Sequence, residues 1–248
     1  MPFDMISDSK KEYIDRLIQE SLEEDDETID FKGKFVGDEG VEALVMSARL
    51  KGVENLELTR NNLTHKGVKM IAECPNLSEL RRLYLGDNNV ADRGAKALST
   101  AVFASNLSQL DLRFNNITAV GGEAIAESTL FRKLQVLVLQ ENKVGDRTLE
   151  FLVKNSGFGN LRKLNFYRTG VTNEGVKALA KSKVLKKIKH LNLARNYVSF
   201  PAAEALAKTK TLTNIETLMF YDTTIGDAGV QAIVNSPSFS KLKTLRVT

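Results

Sequence analysis

The side chains from which hydrolytic, redox or metal chemistry would have to be built are few: His65, His190, a single cysteine at Cys74, and scattered carboxylates. One cysteine allows no internal disulfide, and no Cys/His spacing suited to a metal is present. The phosphate loop G-x-x-x-x-G-K-[ST] and the nucleophile elbow G-x-S-x-G are both missing, and Gly157-Phe158-Gly159 lacks the third glycine of a dinucleotide fingerprint. Carboxylates do fall near one another, as they must on any surface this charged, so they are weak evidence for acid/base work. The sequence therefore reads as a non-enzyme with no catalytic, cofactor-binding or metal-binding group. Chemistry of a different kind, that of protein interfaces, is better supplied: exposed Tyr, Phe, Met and Arg recur at regular intervals.

Those intervals come from an internal repeat. Val53, Leu80, Leu107, Leu134, Leu161, Ile188, Ile215 and Leu242 are each separated by 27 residues, with no insertion or deletion between them. Three residues on stand Leu56, Leu83, Leu110, Leu137, Leu164, Leu191, Leu218 and Leu245, and two beyond those another apolar column from Leu58 to Val247. A polar column follows: Asn61, Asn88, Asn115, Asn142, Thr169, Asn196 and Thr223. The alternation predicts a short strand with one face buried, and the amide column predicts side chains that satisfy backbone groups as the chain turns inward. Thr169 and Thr223 can do part of that work.

The second half of each unit has helical spacing, as in Val68, Ile71, Ala72 and Val176, Leu179, Ala180. Asp38, Asp92, Asp146 and Asp227 precede it where an N-cap oxygen is wanted, His65 shares their column, and glycine recurs near the first turn. Cys74 falls in a column of small residues, and Phe131, Phe158 and Phe239 in a column of leucines; both are read as structural.

The unit resembles the leucine-rich repeat, LxxLxLxxNxL, over about residues 29 to 248. Its length and helical half are similar to the ribonuclease-inhibitor subclass, from which it departs in having uniform units and one cysteine. The resemblance implies a right-handed α/β solenoid, a horseshoe with parallel strands on the concave face and helices on the convex face. Residues 29–248 are expected to form it and residues 1–28 an N-terminal helical cap. Within the cap, Ser9 and Glu12 read as a capping box opening an amphipathic helix over 9–22, and Glu23 to Glu27 as its solvated acidic exit. An acidic partner-binding tail is the alternative there. The chain stops after a ninth strand, an edge whose exposure suggests a shortened chain or a homodimer made through it.

Composition is ordinary and globular: 248 residues, 42% hydrophobic and 27% charged. The single cysteine, the absence of a signal peptide and the lack of any apolar run near about 18 residues suggest a cytoplasmic protein with no membrane partner, or one in a host cytosol if delivered there. The net charge of +4 is unevenly spread. Residues 1–31 hold 11 acidic and 3 basic groups, leaving 32 basic against 20 acidic in the remainder.

Arithmetic on the repeat places Tyr84, Asp111, Asn192 and Met219 in one outward-facing strand column, with Arg113, Gln140, Tyr167 and Tyr221 in the next and Phe114, Glu141, Arg168, Arg195 and Asp222 in a third. These thirteen are the candidate partner-binding residues, the aromatics and Met219 as anchors and the charges fixing register. The face is nearly neutral, and nucleic acid is not expected as a partner. The basic excess is expected elsewhere, for instance in Lys181, Lys183, Lys186, Lys187 and Lys189 on the helix side and its connection, as a solvated face. The expected function is to engage a protein partner, an enzyme inhibited or regulated, through the concave face. The resemblance leaves two alternatives: a GTPase-activating protein, and a bacterial effector that targets a host or sister-effector protein.

Overall fold

A computed structural model describes residues 6–247, so that residues 1–5 of the expected cap, and Thr248, lie outside it. Nine strands form one parallel sheet in chain order: β1 Thr28–Asp30, β2 Asn55–Glu57, β3 Arg82–Tyr84, β4 Gln109–Asp111, β5 Val136–Val138, β6 Lys163–Asn165, β7 His190–Asn192, β8 Thr217–Met219 and β9 Thr244–Arg246. The helices are α1 Asp8–Glu24, α2 Gly37–Val45, α3 His65–Glu73, α4 Ala91–Leu98, α5 Ala119–Glu127, α6 Gly145–Leu152, α7 Asn173–Ala180, α8 Phe200–Ala207 and α9 Gly226–Val234. Every strand pairs with the next at a shift of one repeat, Asn55 opposite Arg82 opposite Gln109 and onward. Strands sit about 4.8 Å apart and packed helices about 8–10 Å apart, so the stack bends with its strands inside. Among the described residues no helix is long and apolar enough to cross a membrane.

The strand leucines from Leu56 to Leu218 point between the two layers and are buried, Leu242 and Leu245 of the last unit are partly so, and a single apolar core runs from Ile14 to Phe239. Phe131, Phe158 and Phe239 lie within it, the first two with ring centroids 6.0 Å apart. The asparagine column does what its position predicts, and does it between repeats. The Asn88 amide donates to Leu58 O at 2.9 Å in the preceding unit, while its Oδ1 accepts from Asn61 N and Leu63 N at 3.0 Å each. The Thr169 hydroxyl donates within its own repeat to Phe166 O at 2.8 Å, and reaches the next repeat only weakly, at Asn196 Oδ1 3.4 Å away.

Helix starts differ from the expectation. Asp38, Asp92 and Asp146 do not cap their own helices but lie in the first turn and reach the next one. The Asp92 carboxylate accepts from Thr118 N at 2.7 Å, Thr118 Oγ1 at 2.7 Å and Gly121 N at 3.0 Å. Asp38 treats Thr64 and Gly67 alike, and a Cβ on Gly67 would sit 2.4 Å from its Oδ1, which is why glycine recurs there. The true N-caps are Thr64, Thr118 and Thr172, so His65 is merely the first residue of α3. Asp227 also lies in a first turn, that of α9, and is exposed. Units uniform in length thus alternate from α2 to α7 between a helix that supplies an aspartate and one that receives it.

The supplying helices begin with a left-handed residue: Gly37, Ala91 and Gly145 have φ of 65°, 51° and 61°. Alanine bears a steric penalty in that region that glycine escapes. Ala91→Gly is expected to stabilise the protein by about 1 kcal/mol, read as a higher urea midpoint with unchanged slope; a lower midpoint would refute it.

At the first edge the amphipathic helix exists but is longer than 9–22. Its cap is Ser7, whose Oγ accepts from Lys10 N at 3.3 Å, and not the Ser9–Glu12 pair. At the other end it includes Glu23 and Glu24; Asp25 then turns the chain into β1 by accepting from Thr28 Oγ1 at 2.6 Å. Ile14, Leu17 and Ile18 enter the core. Ser21 Oγ accepts from Asp30 N at 3.2 Å, satisfying a donor of the edge strand.

Candidate functional site

Each strand ends where its chain must turn inward to the asparagine, and the residue before that asparagine makes the turn. It is left-handed in every unit from first to eighth: Gly33, Arg60, Asp87, Phe114, Glu141, Arg168, Arg195 and Asp222 have φ between 48° and 68°. A backbone ladder holds them there, as Phe114 N donates to Gln140 O at 3.0 Å and Glu141 N to Tyr167 O at 2.9 Å. Their side chains are thrown outward as a ridge along the strand face. Adjacent members pair across repeats: Arg60 with Asp87 at 2.9 Å, Arg168 with Glu141 at 3.0 Å, Arg195 with Asp222 at 2.8 Å.

Phe114 is the ridge's single aromatic, standing between Asp87 and Glu141, each turned to another partner. It is 44% exposed. A bulky side chain in left-handed backbone is strained, and glycine would relieve that strain while losing the ring's remaining contacts. Phe114→Gly is therefore expected to leave unfolding free energy within about 1 kcal/mol of the wild type; a larger loss in urea unfolding would mean the ring serves the fold.

Inside the ridge lie the other two columns. Tyr167 and Tyr221 come from strands two repeats apart, yet their ring centroids are 5.9 Å apart at 43°, because the residue between them is the fully buried Ala194. The Arg195 guanidinium lies 5.8 Å from the Tyr167 centroid, already oriented by Asp222. Burial, with Tyr167 beside it, raises the Tyr221 phenol above its ordinary pKa, so it stays a neutral donor near pH 7. Met219 borders a shallow recess of 140 Å³ with Asn165, Asn192 and His190. Neutral amides line its rim: Asn165 Oδ1 accepts from Tyr167 N and Asn192 Oδ1 from Ala194 N, at 3.0 Å each.

The other half of the face is more polar. Tyr84 lies between Glu57 and Asp111 on the neighbouring strands, and burial followed by those two carboxylates raises its phenol, against the opposing pull of Arg82. Asp111 is itself buried, accepts from Arg113 N at 3.1 Å, and grips the guanidinium of Arg113, whose aliphatic stem lies across Gly86. Asp111 thus reaches a partner only through Arg113. Gln140 Oε1 accepts from Asn165 Nδ2 at 3.1 Å, linking the two halves.

Of the thirteen residues deduced from the repeat, Tyr84, Asp111, Asn192 and Met219 lie in the strands and the other nine in the segments that follow them. What sequence reasoning passed over is Ala194, whose small size lets the tyrosines meet; the signal was an alanine between two tyrosines in one column. Away from the face, Cys74 is buried with its thiol pKa raised by that burial; at the edge of the face, His190 Nδ1 lies 3.1 Å from Thr217 Oγ1.

The family described as Leucine Rich repeat matches residues 76–99, 104–126 and 160–180. No curated protein matches the sequence significantly. Among solved structures, an internalin (inlF) from Listeria monocytogenes aligns at 18% identity over 96% of this chain and 89% of that one, with a TM-score of 0.36. The plant peptide hormone receptor RGFR1, solved in complex with RGF2, aligns at 14% identity over 81% of this chain but 32% of its own, with a TM-score of 0.46. Three stretches of the chain thus match the leucine-rich-repeat model, and the nine described parallel strands alternating with helices in repeat order form an α/β solenoid.

Proposed function

We propose that the concave strand face binds another protein, an enzyme that it covers and thereby regulates, and that residues 1–28 serve as a cap without contacting that partner. The observation that carries this reading is the cluster of Tyr167 and Tyr221 with Arg195, aligned by repeats that place aromatic and guanidinium groups side by side on one sheet. Such groups dominate binding hot spots because they bury much surface with little side-chain entropy to lose. The ridge ion pairs, already formed within the protein, give register and selectivity more than affinity.

The test is affinity capture from lysate of the source cell, comparing the wild type with the Tyr167→Ala, Tyr221→Ala double variant, followed by titration of the retained protein and assay of its activity. A protein held by the wild type and released by the double variant supports the reading, and inhibition of its activity supports the regulatory part. Equal retention by both removes the strand face as the site.

A further inference from the structure

The basic excess of the body does not lie on the helices. It gathers on one lateral flank, in the turns that lead from each helix into the next strand. The eight five-residue segments there, 51–55, 78–82, 105–109, 132–136, 159–163, 186–190, 213–217 and 240–244, contain 12 Lys and Arg against 3 Asp and Glu. A backbone ladder keeps them in line: Ser108 N donates to Arg81 O, Arg162 N to Gln135 O and Lys189 N to Arg162 O, each at 2.8 Å.

Within this flank lysine and asparagine alternate. Lys133 Nζ donates to Asn106 Oδ1 at 2.9 Å, Lys187 Nζ to Asn160 Oδ1 and Lys241 Nζ to Asn214 Oδ1 at 2.6 Å each. Each of these amides is anchored in turn, donating to the backbone of the preceding repeat: Ser78 O, Arg132 O and Lys186 O at 2.7–2.9 Å. The ammonium groups are therefore aimed by neutral partners that leave their charge intact. Carboxylates take up little of the rest: Glu54 pairs with Arg81 at 2.9 Å, and Glu216 holds both Lys189 and Lys243 at 2.7 Å.

We propose that this flank is a second binding surface, for the phosphate backbone of double-stranded nucleic acid. Three features select that partner. At about 4.8 Å per strand the stripe runs about 34 Å, roughly one duplex turn, over which a duplex presents one charge per about 1.7 Å. The stripe is narrow and continuous from repeat to repeat, suited to an extended polyanion. None of the large apolar side chains exposed on the protein lies in these segments, so there is no platform for stacking unpaired bases and no wedge for entering a bilayer. The neutrality that argues against nucleic acid on the concave face does not apply to this separate surface.

The experiment is fluorescence anisotropy of the full chain with labelled DNA and RNA duplexes of one sequence, repeated over a range of KCl. Affinity is expected to fall by about 10³-fold between about 50 and 200 mM salt, and the triple variant Lys133→Gln, Lys187→Gln, Lys241→Gln to flatten the log–log slope by about 2.7. Glu216→Gln frees two lysines and is expected to act oppositely, tightening binding and steepening the slope. The concave double variant Tyr167→Ala, Tyr221→Ala is expected to bind duplex as the wild type does. Absence of duplex binding at the lowest salt, a triple variant that behaves as wild type, or equal binding of polyglutamate or phosphatidylserine vesicles overturns the proposal.

Discussion

Asn142→Ala is expected to lose about 3–5 kcal/mol of stability, among the largest single effects available in this protein. The side chain is 3% exposed and makes five contacts with backbone. Its amide donates to Leu112 O at 2.8 Å, Leu139 O at 2.9 Å and Gln140 O at 3.3 Å, while its Oδ1 accepts from Asn115 N at 3.1 Å and Ile117 N at 2.9 Å. Alanine would leave both N–H groups without their acceptor in a region closed to water, each worth about 1–3 kcal/mol, and would weaken the carbonyl side as well. The position is central, and in a solenoid each repeat is stabilised by its neighbours, so the damage touches two interfaces. Urea unfolding gives the number. Asn142→Thr should recover part of the loss, since Thr169 already fills the equivalent position with a hydroxyl that donates to Phe166 O. A loss below about 1 kcal/mol for the alanine variant would show that the ladder carries little of the fold's stability.

Why the strands, the inward leucines and this amide ladder were legible in sequence is clear from the period. A 27-residue unit with no insertion puts one physical environment in one column, so seven polar residues in a buried column can only be explained by hydrogen bonds. The same arithmetic set Tyr84 in a strand column and Phe114, Tyr167 and Tyr221 in the next two columns. It did not find the left-handed turn beside the asparagine, because the usual marker, glycine, appears there only at Gly33. Elsewhere Arg, Asp, Glu and Phe occupy the turn, and a ladder of backbone bonds, invisible to residue type, imposes the conformation.

Helix caps were misread for a related reason. Local capping rules look for an acceptor just before the helix it serves, whereas Asp38, Asp92 and Asp146 serve the helix of the following unit. The alternation of Gly/Ala-Asp with Thr-x-x-Gly in successive units, present at 37–38, 64–67, 91–92, 118–121, 145–146 and 172–175, was the available signal. Charge follows the same period: Lys186, Lys187 and Lys189 lie in the connection from α7 to β7, and their columns continue through Arg81, Arg132, Lys133, Arg162 and Lys241 on a single flank. Both cases show that in a repeat protein the neighbour that decides a side chain's role is one period away.

That rule also governs the second large effect. The Tyr167→Ala, Tyr221→Ala double variant is expected to weaken partner binding by about 2–4 kcal/mol, roughly 30- to 10³-fold in Kd. The rings touch, so the two single losses should not add; coupling of about 0.5–1.5 kcal/mol is expected in a double-mutant cycle. Removing Tyr167 also takes away the ring against which the Arg195 guanidinium rests, so the single variant should reach beyond its own contact. Tyr167→Phe keeps that ring and is expected to retain most of the affinity, with the difference reporting on the hydroxyl alone. Both tyrosines lie outside the core, so stability should change by less than about 1 kcal/mol, which separates loss of a binding site from loss of the fold. Calorimetric titration of the captured partner supplies the measurement. Affinity within about threefold of wild type, less than about 1 kcal/mol, would mean the paired rings are not an anchor, and would shift the site toward Tyr84, Arg113 and Phe114.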